Sequence, residues 1–398
     1  MKYDFDHILE RRGSGCLKWD TLETTFGSEN ILPMWVADMD FPVARPIREA
    51  LEQRVKKEVY GYPCVWPELV DSVVTRMREK FGWQIDGEWV VFTPGVMPAI
   101  NTAVKAFTAP GDEVIIQSPV YYPFWPAITN NGCRPVNNQL KLIAGKYQMD
   151  FDNLKQSFEP KVGMRPTPSR VRMMVLCSPH NPVGRVWSKE ELTKLGETVI
   201  ANDAIVISDE VHCELLFRGS KHVPFATISP EFAQSAIVCM APSKTFNLAG
   251  LRASSTIIPD VKLRNRFNIA SAGIMPLPNI FGLVALEAAY RYGDEWLAQL
   301  LDYLQKNLKF LTEYVETRIP RIKVIKPEGT YLVWLDCRDL KIDSMELRRF
   351  MREEARVGLD DGFVFGSGGE GFQRMNIACP LTILEEALGR IESAVRTL

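Results

Sequence analysis

Three polar side chains, Lys244, Asp209 and Asn181, each follow a short apolar run that is typical of a buried strand. Their types differ, and together they could do one kind of chemistry. A lysine amine can form a Schiff base, a carboxylate can keep a ring nitrogen protonated, and an amide can bind a ring hydroxyl. These groups are the ones needed to hold a pyridoxal phosphate (PLP) ring, so the sequence predicts a PLP site at the ends of these strands.

A phosphate site is predicted where Gly95, Val96 and Met97 open a helix after a strand. Free backbone N–H groups and the positive end of the helix dipole favour an anion at such a place. Arg252, which follows Lys244 past a glycine, could supply a cation to the same phosphate. Taken alone, the first three residues would be read as a simple strand-to-helix turn, and Arg252 as a surface arginine. The presence of Lys244 favours the interpretation as a phosphate site.

Two further residues could contact the ring. Tyr121 follows Pro119 near a strand end and could stack on the pyridine face, although a lone tyrosine is more often part of the core. His212 lies close after Asp209 and could hydrogen-bond the ring hydroxyl, or be a structural histidine. Asp209 alone could be a helix cap. Asp209 and His212 could also bind a metal, but no third ligand has a suitable spacing.

Arg374 lies between apolar neighbours on a predicted strand, where an arginine needs a partner. A substrate α-carboxylate would make a bidentate pair with it, and an internal salt bridge would serve as well, so the sequence leaves both open. The preceding stretch 366–371 matches G-x-G-x-x-G, but a strand rather than a helix is predicted after it. A dinucleotide site is therefore excluded.

Short apolar strands alternate with helices from residue 88 onward, which predicts an α/β fold with a mostly parallel sheet between layers of helices. Ligands bind such sheets at the carboxyl ends of the strands. We predict three parts: an N-terminal arm that joins the small domain (1–43), a large PLP-binding domain (44–293) and a smaller α/β domain (294–398). The small domain is predicted to contain an amphipathic helix over 294–318 and a last helix opened by a capping box at 382–385.

The 398 residues carry 47 basic and 49 acidic side chains, a formal charge of −2. Nucleic acids and membrane surfaces usually need a basic excess, so neither is predicted as a partner. The densest basic stretch, 161–172, is predicted to be a solvated loop. No stretch has the roughly 20 apolar residues of a membrane span, and the N-terminus has no apolar signal-peptide core. Eight scattered cysteines without a Cys-x-x-Cys pair favour the cytoplasm.

With these residues, the chain resembles the fold-type I PLP enzymes of the class I/II aminotransferase superfamily. More narrowly, it resembles the MalY/PatB group of cystathionine β-lyases (C–S lyases), over nearly its whole length. The motifs that carry the resemblance are Met34-Trp35-Val36-Ala37-Asp38-Met39-Asp40-Phe41, Tyr60-Gly61-Tyr62, Ser178-Pro179-His180-Asn181-Pro182-Val183-Gly184, Ser208-Asp209-Glu210-Val211-His212, Ser243-Lys244-Thr245-Phe246-Asn247 and Arg374-Met375-Asn376. The resemblance implies PLP fold type I, with a large domain and a smaller α/β domain.

The resemblance also implies a role for each site residue. Lys244 is the amine that attaches the cofactor and later moves the α-proton of the substrate. Asp209 pairs with the pyridine nitrogen, Asn181 and His212 address the ring hydroxyl, and Tyr121 stacks on the ring. The substrate carboxylate is bound by Arg374 and the Ala37 backbone. The phosphate is held by Gly95, the Val96 and Met97 backbone, Ser243 and Arg252. Tyr62 reaches the phosphate of the neighbouring subunit, in a homodimer with a shared site.

The implied reaction is β-elimination from L-cystathionine or an L-cysteine S-conjugate, which gives a thiol, pyruvate and ammonia, with Tyr121 or a water as proton donor to the sulfur. Transamination of an L-amino acid is the alternative, and a regulatory protein on the same fold is a third. Many aminotransferases have tyrosine where this chain has His212, which favours the lyase group. Many relatives have serine where this chain has Ala241, so one phosphate hydrogen bond fewer is expected.

Overall fold

The structure is a computed structural model that describes residues 2–159 and 171–398. The predicted basic loop at 161–172 therefore lies mostly outside the described residues, which omit 160–170. The strands, numbered in chain order, are β1 (Leu32–Pro33), β2 (Val90–Thr93), β3 (Glu113–Ile116), β4 (Arg134–Asn137), β5 (Lys141–Ile143), β6 (Lys146–Gln148), β7 (Val171–Cys177), β8 (Ile205–Asp209), β9 (Ala236–Met240), β10 (Ser254–Ile257), β11 (Lys323–Ile325), β12 (Leu332–Asp336), β13 (Val357–Gly358), β14 (Asp360–Asp361) and β15 (Phe372–Asn376).

The α-helices are numbered in the same way. They are α1 (Leu17–Asp20), α2 (Leu22–Phe26), α3 (Arg45–Val55), α4 (Pro67–Phe81), α5 (Val96–Phe107), α6 (Phe124–Thr129), α7 (Phe151–Gln156), α8 (Lys189–Ile200), α9 (Pro230–Gln234), α10 (Pro242–Thr245), α11 (Val261–Ser271), α12 (Ile280–Tyr292), α13 (Asp294–Arg318), α14 (Ser344–Arg349) and α15 (Leu381–Val395). Within the described part of the chain, no helix combines the length and the apolarity needed to cross a membrane.

Seven strands form the main sheet, in the order β2-β10-β9-β8-β7-β3-β4. The five strands from β9 to β4 run parallel, and β10 runs antiparallel to both of its neighbours. Alternate residues of β7 belong to two different apolar clusters. Met173 and Val175 pack in one cluster, and Met174 and Leu176 pack in the other. A sheet covered on both faces needs strands that are apolar on both sides, so the predicted fold class is confirmed.

A second, antiparallel sheet has the order β11-β12-β15-β14 and packs with α13. The N-terminal residues reach these C-terminal elements, because β1 pairs in parallel with β13. Residue Met34 then continues along the same edge, since its N–H donates to Gly358 and its carbonyl accepts from Asn376. The predicted boundaries after residues 43 and 293 stay predictions.

The long helix predicted over 294–318 is confirmed as α13 (Asp294–Arg318), but the predicted capping box at 382–385 is wrong. Helix α15 begins at Leu381, so Thr382 lies inside its first turn, and the residue before the helix is Pro380, which makes no side-chain cap. The Leu381 N–H donates instead to the Tyr303 hydroxyl on α13, at 2.8 Å. A tertiary contact thus satisfies one of the N–H groups that the first turn of a helix leaves free.

Candidate active site

The strand ends of the main sheet surround one cavity of about 380 Å³, a volume within the usual range for small-molecule sites. Twelve of the thirteen predicted site residues line this cavity: Ala37, Gly95, Val96, Met97, Tyr121, Asn181, Asp209, His212, Ser243, Lys244, Arg252 and Arg374. The thirteenth, Tyr62, is fully exposed on the segment between α3 and α4. The structure therefore brings together the residues that a cofactor and a substrate would share, and Tyr62 lies apart from them.

Lys244 lies on α10, a single turn that directly follows β9. Its Nζ donates a hydrogen bond to the Ala37 carbonyl oxygen at 2.8 Å. Burial, with the positive Arg374 nearby, lowers the pKa of the Lys244 amine to about 8. An amine with this pKa is partly neutral near physiological pH, so it can act as a nucleophile and as a base.

Asp209 ends β8 and His212 follows in the next turn. Burial raises the pKa of Asp209 to about 7, and in the described residues this carboxyl group has no salt bridge. Burial lowers the pKa of His212 to about 3, so its ring is neutral, and its buried Nδ1 has no hydrogen-bond partner in the described chain. A protonated ring nitrogen would supply the charge that Asp209 lacks, and a ring hydroxyl would supply a partner for His212. Both residues fit PLP.

Tyr121 follows β3 and is partly buried at the wall of the cavity, with its ring nearly perpendicular to that of Phe124 at a centroid distance of 5.7 Å. Burial raises the pKa of Tyr121 to about 12. The phenol therefore keeps its proton at neutral pH, and its ring face is available for stacking.

The phosphate end of the cavity is built on the first turn of α5. Gly95 precedes this helix with φ +118°, a conformation that residues with a side chain rarely adopt. Since Pro98 has no N–H, Val96 and Met97 supply the free donors of the turn. Arg252 makes no ion pair within the described residues, so its charge is available to an anion. Ala241 precedes α10, makes no side-chain cap and does not line the cavity.

Arg374 has an internal partner. Its guanidinium forms a salt bridge with Asp360 and also donates to the Asn181 Oδ1 at 3.0 Å and to the Trp35 carbonyl oxygen at 2.9 Å. Its Nε is buried and has no partner in the part of the chain that the structure describes. The two open interpretations of Arg374 are therefore compatible, because a salt bridge exists and one donor is still free.

The sequence did not point to Asp360 or to the neighbouring Tyr122, although both line the cavity. Asp360 lies on the two-residue strand β14, directly opposite Arg374 on β15. The signal that could have found it is the acidic pair at 360–361, which follows the apolar run 357–359 and precedes the strand of Arg374.

Two asparagines hold the arm segment (residues 36–41) that carries Ala37. Asn376 Nδ2 donates to the carbonyl oxygens of Val36 at 2.7 Å and Asp38 at 2.6 Å. Asn247, three residues after Lys244, donates to the carbonyl oxygens of Met39 and Phe41 and accepts from the Met39 N–H. The position of the Ala37 backbone is thus fixed both from the strand of Arg374 and from the turn of Lys244.

Replacement of Asn376 by alanine is expected to lower the free energy of unfolding by about 2–3 kcal/mol, because buried backbone groups lose their partners. The shift of the urea midpoint at constant slope measures this change. Asn130→Ala is the matched control, since Asn130 is exposed at the end of α6. Equal midpoints for the two variants would contradict the proposed hold on the arm segment.

Comparison with known proteins agrees with this geometry. The sequence profile of the family described as aminotransferase class I and II matches residues 30–391. The chain belongs to this family. The prediction of the superfamily is therefore confirmed, and the cavity at the strand ends is a site on a class I and II aminotransferase fold.

Within the class I and II aminotransferase family, the chain is similar to the cystathionine β-lyase PatB of Bacillus subtilis strain 168, with 41% identity over 98% of this chain and 100% of PatB. It is 31% identical to the protein MalY of Escherichia coli strain K12 over 100% of both chains. Among solved structures, it is similar to cystalysin from Treponema denticola, which contains a PLP cofactor. The TM-score is 0.95, with 36% identity over 100% of both chains.

Proposed function

We propose that this protein is a PLP-dependent carbon–sulfur β-lyase that cleaves L-cystathionine or other L-cysteine S-conjugates to a thiol, pyruvate and ammonia. The observation that carries the proposal is the 41% identity with PatB, a cystathionine β-lyase, over 98% of the chain. The grouping of twelve predicted cofactor and substrate residues around one cavity supports it.

Bound PLP supplies an electron sink for the pair of electrons left when the substrate loses its α-proton. Lys244 would attach the cofactor through Nζ, and the same Nζ, when free, would take the α-proton of the substrate. Its lowered pKa, about 8, suits a base that works near neutrality. Asp209 would pair with the ring nitrogen as a carboxylate. Asn181 would offer its amide nitrogen to the ring hydroxyl, because its oxygen already accepts from Arg374.

The substrate carboxylate is bound by Arg374 and by the Ala37 N–H. The Ala37 carbonyl oxygen accepts from Lys244 and from the Tyr331 hydroxyl at 3.0 Å, which leaves its N–H as the donor for a ligand. Tyr121 keeps its proton until the β-thiolate leaves, because burial raises the pKa of its phenol to about 12. A proton on that phenol can pass to the departing sulfur, directly or through a water.

The expected result with the PLP-loaded protein and L-cystathionine, without any 2-oxo acid, is sustained release of pyruvate and free thiol in a one-to-one ratio. Lactate-dehydrogenase coupling measures the pyruvate and a thiol reagent measures the homocysteine. A turnover that starts only after a 2-oxo acid is added would contradict the lyase and indicate transamination. A wild-type protein that stays colourless after PLP is added would contradict any PLP chemistry.

The proposed active form is a homodimer in which Tyr62 reaches the phosphate of the partner's site. Within one chain, Tyr62 is fully exposed. Two other large apolar side chains of the same segment are mostly exposed, Val59 at 70% and Tyr60 at 57%. Monomers rarely expose such a cluster without a binding role.

We also propose a cytoplasmic location, since all eight cysteines lie in the described residues and none forms a disulfide.

A mixing experiment tests the shared site. Tyr62→Ala and Lys244→Ala homodimers should each be impaired, because one loses a phosphate contact and the other its amine. Co-expression should restore activity to about a quarter of wild type, since half the dimers are mixed and each contains one intact site. Activity is measured at a PLP concentration that saturates only the wild type. No recovery in confirmed mixed dimers would contradict the role of Tyr62.

A further inference from the structure

The guanidinium of Arg374 offers two edges that could bind a carboxylate in a bidentate way, Nε with Nη2 and Nη1 with Nη2. Both edges include Nη2, and this nitrogen is the one that Asp360 holds. Nη1 is taken by Asn181, and Nη2 also donates to the Trp35 carbonyl. A substrate carboxylate can therefore make a bidentate pair with Arg374 only if it shares Nη2 with Asp360 or displaces Asp360 from it.

The pairing of its strand keeps Asp360 next to Arg374. Asp360 and Arg374 are directly opposite each other in the antiparallel pair of β14 and β15, and the β-carbons of such residues are about 5 Å apart. The Asp360 side chain is only 14% exposed, and that of Arg374 only 4%. When a substrate carboxylate arrives, two carboxylates and one guanidinium therefore share a space that is largely closed to water.

We propose that Asp360 takes up one proton from solvent when a carboxylate binds to Arg374, so that Asp360 determines how substrate affinity depends on pH. Two carboxylates that share a site cannot both ionise without a large cost. The proton on Asp360 lets its O–H donate to the incoming carboxylate and leaves Arg374 with one full counter-charge. This inference rests on the proposed role of Arg374 in the lyase.

Burial already raises the pKa of Asp360 in the free chain. Of the charged groups around Asp360, some raise its pKa and others lower it. Arg374 on β15 favours its ionised form, Asp361 on its own strand disfavours it, and Tyr121 and Tyr122 after β3 face it with neutral phenols whose pKa values are raised by burial. The other titratable groups of the same cavity are Lys244, Asp209, His212, Arg252 and Cys177. Burial raises the pKa of the Cys177 thiol, so it stays neutral. The cofactor would engage the other four, which leaves Asp360 as the carboxyl group next to the substrate carboxylate.

The test uses the holoenzyme and 3-(methylthio)propanoate, a carboxylate without an amine, so that the covalent link of the cofactor stays unchanged. Calorimetric titrations in buffers of different ionisation enthalpy give the number of protons taken up. For the wild type we expect an uptake that approaches one proton. Its dissociation constant should rise about tenfold per pH unit above the pKa of Asp360. The absorbance band of the cofactor shows separately whether the cofactor itself gains a proton.

Asp360→Asn should remove the uptake and the pH dependence and should bind the ligand more tightly than the wild type at high pH. Asp361→Asn is the matched control, since Asp361 pairs with Arg352 and Gln373 rather than with Arg374. It should keep the proton uptake and the rise of the dissociation constant with pH, displaced to lower pH because Asp360 loses a negative neighbour. If Asp360→Asn does not fold, the neutral amide of the same ligand gives a second test. That amide should bind to the wild type without proton uptake.

Each outcome has one meaning. Uptake that persists in Asp360→Asn, a wild-type dissociation constant that does not change with pH, or the same uptake for the neutral amide would overturn the role of Asp360 and leave that of Arg374 intact. A wild type that does not bind the carboxylate at any pH, while lyase activity is measured in the same preparation, would overturn the role of Arg374 and with it this inference.

Discussion

Replacement of Lys244 by alanine is expected to lower turnover by on the order of 10³- to 10⁴-fold and to abolish covalent attachment of PLP. The variant loses two functions at once, because the same Nζ holds the cofactor and moves the α-proton. No other lysine lines the cavity in the described residues, so no neighbour can replace it. Turnover is followed by pyruvate release, and attachment is followed by the mass of the protein after borohydride reduction.

The control for this experiment is Lys105→Ala, since Lys105 is exposed on α5. It should keep full activity and the mass increase. A second check separates the two functions of Lys244, because a small primary amine in the buffer should partly restore proton transfer in Lys244→Ala without restoring attachment. A variant that retains a tenth of the wild-type turnover without added amine would refute the assignment.

Replacement of Arg374 by alanine is expected to lower kcat/KM by on the order of 100- to 1000-fold, mainly through KM. Loss of one partner of a buried, hydrogen-bonded charge pair lowers binding affinity by about 2–5 kcal/mol, and each 1.4 kcal/mol is a factor of ten. The variant should also be less stable, because Asp360 is left buried without its cation. Steady-state kinetics with L-cystathionine and thermal unfolding measure the two effects.

The double variant Arg374→Ala/Asp360→Asn separates these effects. It removes the unpaired carboxylate, so it should recover most of the lost stability while KM stays high. A cysteamine thioether, which has the amine but no α-carboxylate, is the matched ligand control, and its affinity should not change between wild type and Arg374→Ala. A KM that recovers together with stability would mean that Arg374 only supports the fold.

The sequence predicts the positions of elements that have a strong periodic pattern, and it predicts site residues that follow them. Strand β9 and the turn with Lys244 lie where they were expected, and helix α13 has the predicted bounds, because buried apolar runs and a long amphipathic stripe depend little on distant contacts. The capping box is wrong because the helix begins before Thr382, at Leu381, where the hydroxyl of Tyr303 on another helix accepts from the first N–H.

Other features could not be predicted, because they depend on residues that are distant in the chain. Asp360 meets Arg374 only through the register of a two-residue strand, which is too short to leave a pattern. Asn247 and Asn376 bind backbone carbonyls more than 200 and 300 positions away in the sequence, and no local signal marks such a contact. The role of Tyr62 needs a second chain, so it stays a prediction.

The hold of Asn376 on the arm segment has a consequence for synthesis of the protein. Residues 36–41 leave the ribosome well before their partner Asn376, which is translated more than 300 residues later. Domains generally fold while the chain emerges, yet the Ala37 side of this cavity has the support of Asn247 and Tyr331 without that of Asn376 until the last strand, β15, is available. We expect a nascent chain to bind PLP stably only once Asn376 has left the ribosome, and ribosome-bound chains truncated before residue 372 to lose the cofactor on gel filtration.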